Sequence, residues 1–241
     1  MRAFWVILLG GLAFIGTAEA RLGESLKEIE NRYGKLISTS SLSDKALQET
    51  HNEENMEKKV IELAETMASE NEELETFFIK KTGEFNGIIF QFFKDKTKHS
   101  GKCIAVTYIK IYMPFQLKDL ELDDGMVIPV TGYQLDISPE KVEDIVYKEV
   151  PNIKKIEPVS SSGVKDKVGN VPWTMEWKGT YGERLNAEMS PARDFESGQN
   201  FTFFRLFCLS KELIEFLQAK ENAQEQERQE INTHGLPGIQ P

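Results

Sequence analysis

Two neighbouring runs of strong β-propensity constrain the fold of this chain more than any other feature. They cover residues 85–93 and 102–112 and are joined by a polar stretch, 94–101. In the second run, apolar side chains occupy both alternating sets of positions, which is typical of a strand covered on both faces. The two runs therefore predict an antiparallel hairpin buried inside a layered structure.

Short helices with marked ends flank this hairpin. Residues 23–34 begin with a capping box formed by Ser25 and Glu28 and end at a glycine suited to a left-handed stop. Residues 138–150 open with a serine cap followed by proline, and Pro151 ends that helix. Both helices carry apolar residues on one face, so each is expected to pack on a sheet.

A second group of strands is predicted in the last third of the chain, at residues 173–177, 184–189 and 201–209. Ser210 then caps a final helix. Runs of strands are separated by single helices, without alternating strand–helix units, so the predicted class is α+β. We expect an antiparallel sheet, or two sheets, packed against short capped helices.

Residues 41–75 are rich in charged and amide side chains and have few apolar positions, which fall near helical spacing. This pattern predicts a long charged helical insertion that is added to the domain. We expect the rest of the domain to fold without it, because long surface insertions cost little in loop closure. Two roles remain open for its apolar stripe, covering the domain's own sheet or forming a homodimer contact, and the stripe comprises Met56, Val60, Leu63 and Met67.

Both ends of the chain are predicted to lie outside the domain. Residues 1–20 combine one arginine, an apolar run and small residues ending in alanine, the layout of a removable export signal. That run is shorter than the roughly 20 residues of a membrane helix, so no membrane insertion is expected after processing near Arg21.

Residues 219–241 are mostly polar and predict a partly disordered tail. A single domain over 21–218, in the periplasm or outside the cell, is the expectation.

Charge and motifs exclude several classes of function. The chain has a net charge of -10, and nucleic acid is bound by basic surfaces, so nucleic acid is not an expected partner. The three histidines, His51, His99 and His234, have no second ligand at helical or turn spacing. No serine elbow, paired zinc histidines, phosphate loop or calcium loop occurs. We therefore predict no metal, no cofactor and no catalytic residue.

The two cysteines, Cys103 and Cys208, both lie in apolar, strand-like runs. In an oxidising compartment such a pair is able to form one disulfide. Buried thiols pack equally well as small apolar side chains, and the sequence leaves both states open.

The opening of the predicted mature chain, RLGESLKEIENRYGK, resembles the start of a group of exported bacterial proteins of unknown function, of planctomycete and verrucomicrobial type. In that group a helix closing on Arg-Tyr-Gly precedes a strand pair, a short helix and a tryptophan-bearing strand pair. Further landmarks match in order, namely Gly101-Lys102, Ile104, Tyr108, Ser138, Trp177 and Ala187. The chain departs from the group at Ile29, where relatives often carry cysteine, and in the charged segment 41–75.

The helix followed by strands also resembles half of the helix-plus-antiparallel-sheet repeat of β-lactamase-inhibitor-like and outer-membrane-assembly-lipoprotein-like modules. That likeness is topological and transfers no function. The first resemblance implies an exported protein of this architecture, and its own group has no assigned activity.

Four residues are candidates for binding: Arg32, Tyr33, Trp173 and Trp177. Arg32 and Tyr33 belong to the motif that best matches the resembling group, and the tryptophans lie near turns, where aromatic rings favour contact with a ligand or protein. Each aromatic has a second interpretation. Tyr33 lies on the apolar stripe of its helix, and the tryptophans equally suit a core between sheet and helices.

The predicted function is a non-enzymatic binding or interaction module of the periplasm or cell envelope. Its partner is an unknown protein or a small-molecule ligand. The alternative is an envelope hydrolase with an unrecognised carboxylate site, since the carboxylates Glu121, Asp123 and Asp124 cluster in one connection. Asp-Asp-Gly is also an ordinary turn sequence.

Overall fold

The computed structural model describes residues 22–42, 55–121, 126–149, 155–162, 172–193, 198 and 200–234. The predicted export signal lies outside these residues, as do the turn at 123–125 and the stretch 43–54. Within the described part of the chain, no helix is both long enough and apolar enough to cross a membrane.

The described residues form four α-helices, a short 3-10 turn (Thr39–Ser41) and ten strands. The helices are α1 (Leu26–Tyr33), α2 (Asn55–Glu70), α3 (Pro139–Glu149) and α4 (Lys211–His234). The strands of the first half are β1 (Ile37–Ser38), β2 (Leu74–Thr82), β3 (Phe85–Phe93), β4 (Ala105–Tyr112), β5 (Phe115–Glu121) and β6 (Val127–Gly132). Those of the second half are β7 (Ile156–Ser162), β8 (Trp173–Gly179), β9 (Arg184–Arg193) and β10 (Asn200–Leu209).

Eight strands form one antiparallel sheet in the order β1-β2-β3-β4-β10-β9-β8-β7, and β5 pairs with β6 in a separate hairpin. The predicted α+β class is therefore confirmed, and both predicted strand groups belong to one sheet. The strand order is symmetric about the β4–β10 pair. Each half contributes one helix and four strands, α1 with β1–β4 and α3 with β7–β10, and the first half also contains α2 between β1 and β2. The halves meet where β4 pairs with β10.

Helices α1 and α3 both pack on one side of the sheet, which we call the first face. Ile29 of α1 and Val142 of α3 have no exposed surface and belong to one apolar cluster with Tyr108, Leu206 and Trp177. The predicted capping box is present, because Ser25 Oγ accepts from the Glu28 backbone while the Glu28 carboxylate accepts from the Ser25 backbone. Leu213 N donates to Ser210 Oγ at 3.2 Å, which confirms the predicted cap of α4.

The opposite side, the second face, is covered unequally. Helix α2 lies over the first half, where Val60, Ile61 and Ala64 pack in one cluster with Phe78 and Ile89. Over β8 and β9 this face is open in the described structure, and exposed polar residues such as Thr174, Lys178, Arg184 and Asn186 occupy it. The difference follows from the connections. Residues 39–73 join β1 to β2 and contain α2, whereas only residues 163–172 join β7 to β8.

The segment 41–75 is thus not confirmed as a long charged helical insertion. Val60 and Ala64 are fully buried, and Met56, Leu63 and Met67 pack against the same cluster on the chain's own sheet. A narrow apolar stripe is enough for α2 to cover β2 and β3. The high charge of the other faces of this helix concealed that role in the sequence. The segment also ends inside β2, a strand that the sequence analysis missed.

Three further elements differ from the sequence prediction. The sequence patterns predict no regular element in residues 114–133, which contain the hairpin β5–β6. They predict none in residues 151–172 either, where β7 is an edge strand in which only Ile156 is buried, so its apolar pattern is too weak to detect. Helix α4 continues to His234, through part of the predicted tail 219–241.

The packing of α2 on the sheet predicts that Gly87→Ala destabilises the domain. A Cβ at Gly87 would lie 2.3 Å from Val60 Cγ1, so strand β3 and α2 would have to separate. We expect a loss of about 1–3 kcal/mol in unfolding free energy, measured by urea titration. The double variant Gly87→Ala/Val60→Ala should lose less than the two single variants combined. Additive losses would show that contact with α2 is not the reason for the glycine.

Candidate functional site

A cleft of about 500 Å³ opens on the second face, where α2 runs beside the uncovered half of the sheet. We call it the helix–sheet cleft. Its lining comprises Lys59, Glu62, Leu63 and Thr66 from α2, Ser190, Ala192 and Arg193 from β9, and Phe201, Phe203 and Arg205 from β10. The volume lies in the range of small-molecule sites.

The spacing of these residues along α2 and β10 places their side chains on the sides of the helix and the sheet that face the cleft. The four α2 positions follow the pattern i, i+3, i+4 and i+7, so they share one side of the helix. Phe201, Phe203 and Arg205 are spaced by two residues along β10 and therefore lie on one face of the sheet. The cleft is thus built on a helix and two central strands, which hold its side chains more rigidly than loops would.

Aromatic rings and cations alternate on the floor of the cleft. The Lys59 ammonium lies 4.5 Å from the centroid of the Phe201 ring. The Phe201 and Phe203 rings meet edge to face at 6.3 Å. The Arg205 guanidinium lies between two rings, 5.2 Å from Phe203 and 5.3 Å from Phe207. Such cation–π contacts hold a positive charge over an apolar surface, and they strengthen when water is excluded.

The Arg205 guanidinium is further fixed by Glu188, which lies directly opposite on β9. Nε and Nη2 of Arg205 both bond the same oxygen of that carboxylate. A guanidinium has five N–H donors, so this pairing uses only part of its capacity. The pair also spans β9 and β10 and so fixes one side of the cleft.

The cleft is more positive than the rest of the chain. Among the described residues, three cations line it, Lys59, Arg193 and Arg205, against one carboxylate, Glu62. That carboxylate lies 3.6 Å from the ammonium of Lys58 one helical turn away. Arg193 Nε donates to the Gly198 carbonyl at 3.2 Å, which fixes the position of its guanidinium. In a chain of net charge -10, this concentration of cations is a local exception.

The structure places the residues predicted from sequence elsewhere. Arg32 binds Glu24 through two bonds, at 3.0 and 2.6 Å, and the Tyr33 ring lies 6.1 Å from that of Phe90. Trp173 is 4% exposed and Trp177 is fully buried. The Trp177 indole N–H donates to Glu143 of α3 at 3.3 Å. All four belong to α1 or to the first face, and none of them lines the helix–sheet cleft.

Both cysteines are buried thiols, and no disulfide joins them in this structure. Burial raises the pKa of the Cys103 thiol far above its usual value, which disfavours the reactive thiolate. Cys103 Sγ contacts the Ala105 carbonyl oxygen at 3.2 Å. In this state the pair contributes to the core of the first face.

His99 has a fixed position that the sequence analysis did not anticipate. Its ring stacks on Phe93 with centroids 3.6 Å apart, and its Nδ1 lies 3.1 Å from a carboxylate oxygen of Glu212. Ser100 Oγ donates to the other oxygen of Glu212 at 3.1 Å. These contacts join the β3–β4 connection to α4. In the described residues, no group of three or more His, Cys, Asp or Glu side chains is arranged to hold a metal ion.

A second cavity, of about 850 Å³, lies between α2, β2 and the β3–β4 connection, and three carboxylates line it, those of Glu65, Glu75 and Asp95. Burial, and then repulsion by Glu62, raises the pKa of Glu65. Hydrogen bonds from the Thr97 side chain and backbone lower the pKa of Asp95 to about 2. Thr97 Oγ1 and N donate to Asp95 Oδ1 at 2.5 and 3.0 Å, a local turn that explains the low pKa.

This turn predicts a specific acid sensitivity. The pKa of Asp95 is lower in the folded state than its ordinary value of 3.8, so its stabilising effect is complete above pH 4 and is lost as the pH falls toward 2. We expect Asp95→Asn to be less stable than the wild type at pH 6 and equally stable near pH 2, by urea unfolding. Glu221→Gln, on the exposed part of α4, controls for the loss of a surface charge. An Asp95 carboxyl titration by NMR with a midpoint near 4 would contradict the assignment.

Comparison with models of known protein families, with curated proteins and with solved structures gave no match.

Proposed function

We propose that this protein is an exported, non-enzymatic binding module of the periplasm or cell envelope, and that the helix–sheet cleft is its binding site. The observation that carries the proposal is the cleft itself. Aromatic faces and three cations meet there in a space the size of a small ligand, between a helix and the open half of the sheet.

The chemistry of the cleft suits binding. Small-molecule sites combine apolar surface with a few placed polar groups. Phe203, Leu63 and Ala192 supply apolar surface, and the hydroxyls of Thr66 and Ser190 are hydrogen-bonding groups at its walls. Because β9 and β10 are central strands and α2 is anchored by buried residues, little ordering is needed when a ligand binds.

Filling the cleft with a large side chain tests whether it is the binding site. Ser190→Trp places a large side chain in the cleft, and Thr174→Trp places the same side chain on the same face outside it. We expect small-molecule ligands, found by NMR screening of labelled mature protein with neutral, cationic and anionic compounds, to shift amides around the cleft. Ser190→Trp should abolish that binding and Thr174→Trp should preserve it. Ligands that bind elsewhere and are indifferent to Ser190→Trp would refute the proposed site.

The proposal of export rests on the signal-like layout of residues 1–20, which lie outside the described structure. We expect the full chain, expressed in a bacterial host with a periplasm, to be recovered there with Arg21 as its first residue by mass spectrometry. Leu9→Arg interrupts the apolar run and should leave the chain unprocessed in the cytoplasm, whereas Leu9→Ile should be processed normally. Processing of the arginine variant would count against an export signal.

One observation favours the alternative, an envelope hydrolase. Glu65 lines the second cavity together with Glu75 and Asp95, and burial raises the pKa of Glu65, as it does for a carboxyl group that acts as a general acid. A panel of glycoside and ester substrates tests this idea. Turnover that is lost in Glu65→Gln and retained in Ser190→Trp would assign the activity to the second cavity and overturn the non-enzymatic proposal.

A further inference from the structure

We infer that the ligand of the helix–sheet cleft is a small carboxylic acid that carries one apolar ring or branched chain. The inference rests on the proposed function and adds the chemical class of the ligand. Three observations carry it: the local charge, the composition of the floor and the size of the space.

The local charge favours an anion. In the described lining, Lys59, Arg193 and Arg205 contribute three cations. Of the two carboxylates near them, Glu188 pairs with Arg205, while Glu62 also lies 3.6 Å from the ammonium of Lys58. Cations therefore outnumber carboxylates among these described side chains, which suits a ligand that carries a negative charge.

The two arginines also suit a carboxylate by geometry. The planar guanidinium fork matches the two oxygens of a carboxylate, and charge-assisted bonds of this kind are about twice as strong as neutral ones. Arg205 is held by Glu188 from the neighbouring strand and by the rings of Phe203 and Phe207. Arg193 is held through its Nε, which leaves both of its Nη groups outside that bond.

The floor favours an apolar group next to the acid. Phe203 is only half-buried and lies between Phe201 and the guanidinium of Arg205. A ring placed there covers the Phe203 ring and contacts Leu63 and Ala192, which line the same space. Excluding water from this surface strengthens the nearby charge pairs, so the apolar and the ionic contacts reinforce each other. A volume of about 500 Å³ admits such a molecule and is small for a folded partner.

Phenylacetate and phenylacetamide provide the test, because they have nearly the same shape and differ in charge. Both are titrated into labelled mature protein and followed at the amides of Leu63, Ser190 and Ala192. We expect phenylacetate to bind at least tenfold more tightly than phenylacetamide and to weaken with added salt. Acetate, which has the charge without the ring, should bind more weakly than phenylacetate.

Substitutions of the cations test whether they cause the preference for phenylacetate over phenylacetamide. Lys59→Gln and Arg193→Gln should each weaken phenylacetate binding severalfold and leave that of phenylacetamide unchanged. Lys211→Gln, which removes an exposed cation on α4 outside the cleft, should change neither. Thermal unfolding of each variant confirms that the fold is intact.

The outcomes separate this inference from the proposed function. Equal binding of the acid and the amide in the cleft would overturn the carboxylate preference and leave the binding site established. Tighter binding of benzylphosphonate, or of an acidic peptide such as acetyl-Asp-Phe-amide, would overturn the inferred ligand class in the same way. If no compound of any charge binds the cleft, the proposed function itself is overturned.

Discussion

The pairing of β4 with β10 is the interaction on which the rest of the molecule depends. Each half of the chain contributes one helix and four strands, with α2 added in the first half, and only this ladder, from Thr202 opposite Tyr112 to Leu209 opposite Ala105, joins them into one sheet. Without it, each half would have an unpaired edge strand of β-branched and aromatic residues, the kind of edge that favours aggregation. The ladder also places Phe201 and Phe203 beside Ile111, next to the strands that α2 covers, so the cleft exists only because the halves are joined.

The asymmetry between the halves then creates the site. The two halves are similar in their order of strands, but residues 39–73 join β1 to β2 and contain α2, whereas residues 163–172 alone join β7 to β8. That helix packs closely on its own half, because Gly87 of β3 has no side chain and so leaves room for the side chain of Val60. In the part of the chain that the structure describes, the other half has an open second face, which an antiparallel sheet tolerates when that face is polar. A cleft forms at the boundary, where an apolar covered region meets a polar open one.

Local patterns in the sequence predicted the class of the fold and most of its regular elements. The capping box of Ser25, the Ser138-Pro139 start and the alternation in residues 102–112 each report local energetics, and each element is present. Strands β2 and β7 were missed because lysines interrupt the apolar pattern of the first and because the second is an exposed edge. The site was missed for a different reason. The spacing of Phe201, Phe203 and Arg205 marks one face of a strand, but that Lys59 lies over Phe201 depends on a tertiary contact between segments about 140 residues apart, which no local pattern encodes.

The two faces of the sheet differ in how much of their surface is buried. The first face holds Trp173, Trp177, both cysteines and the buried residues of α1 and α3, so a substitution there acts through the free energy of unfolding. Trp177 illustrates this, because its indole N–H is bonded to Glu143 and its ring is enclosed, leaving no surface for a ligand. The second face carries partly exposed side chains at the cleft, where most substitutions away from the core change stability little. A surface of this kind is free to vary while the buried residues maintain the fold, which is compatible with the proposed binding role.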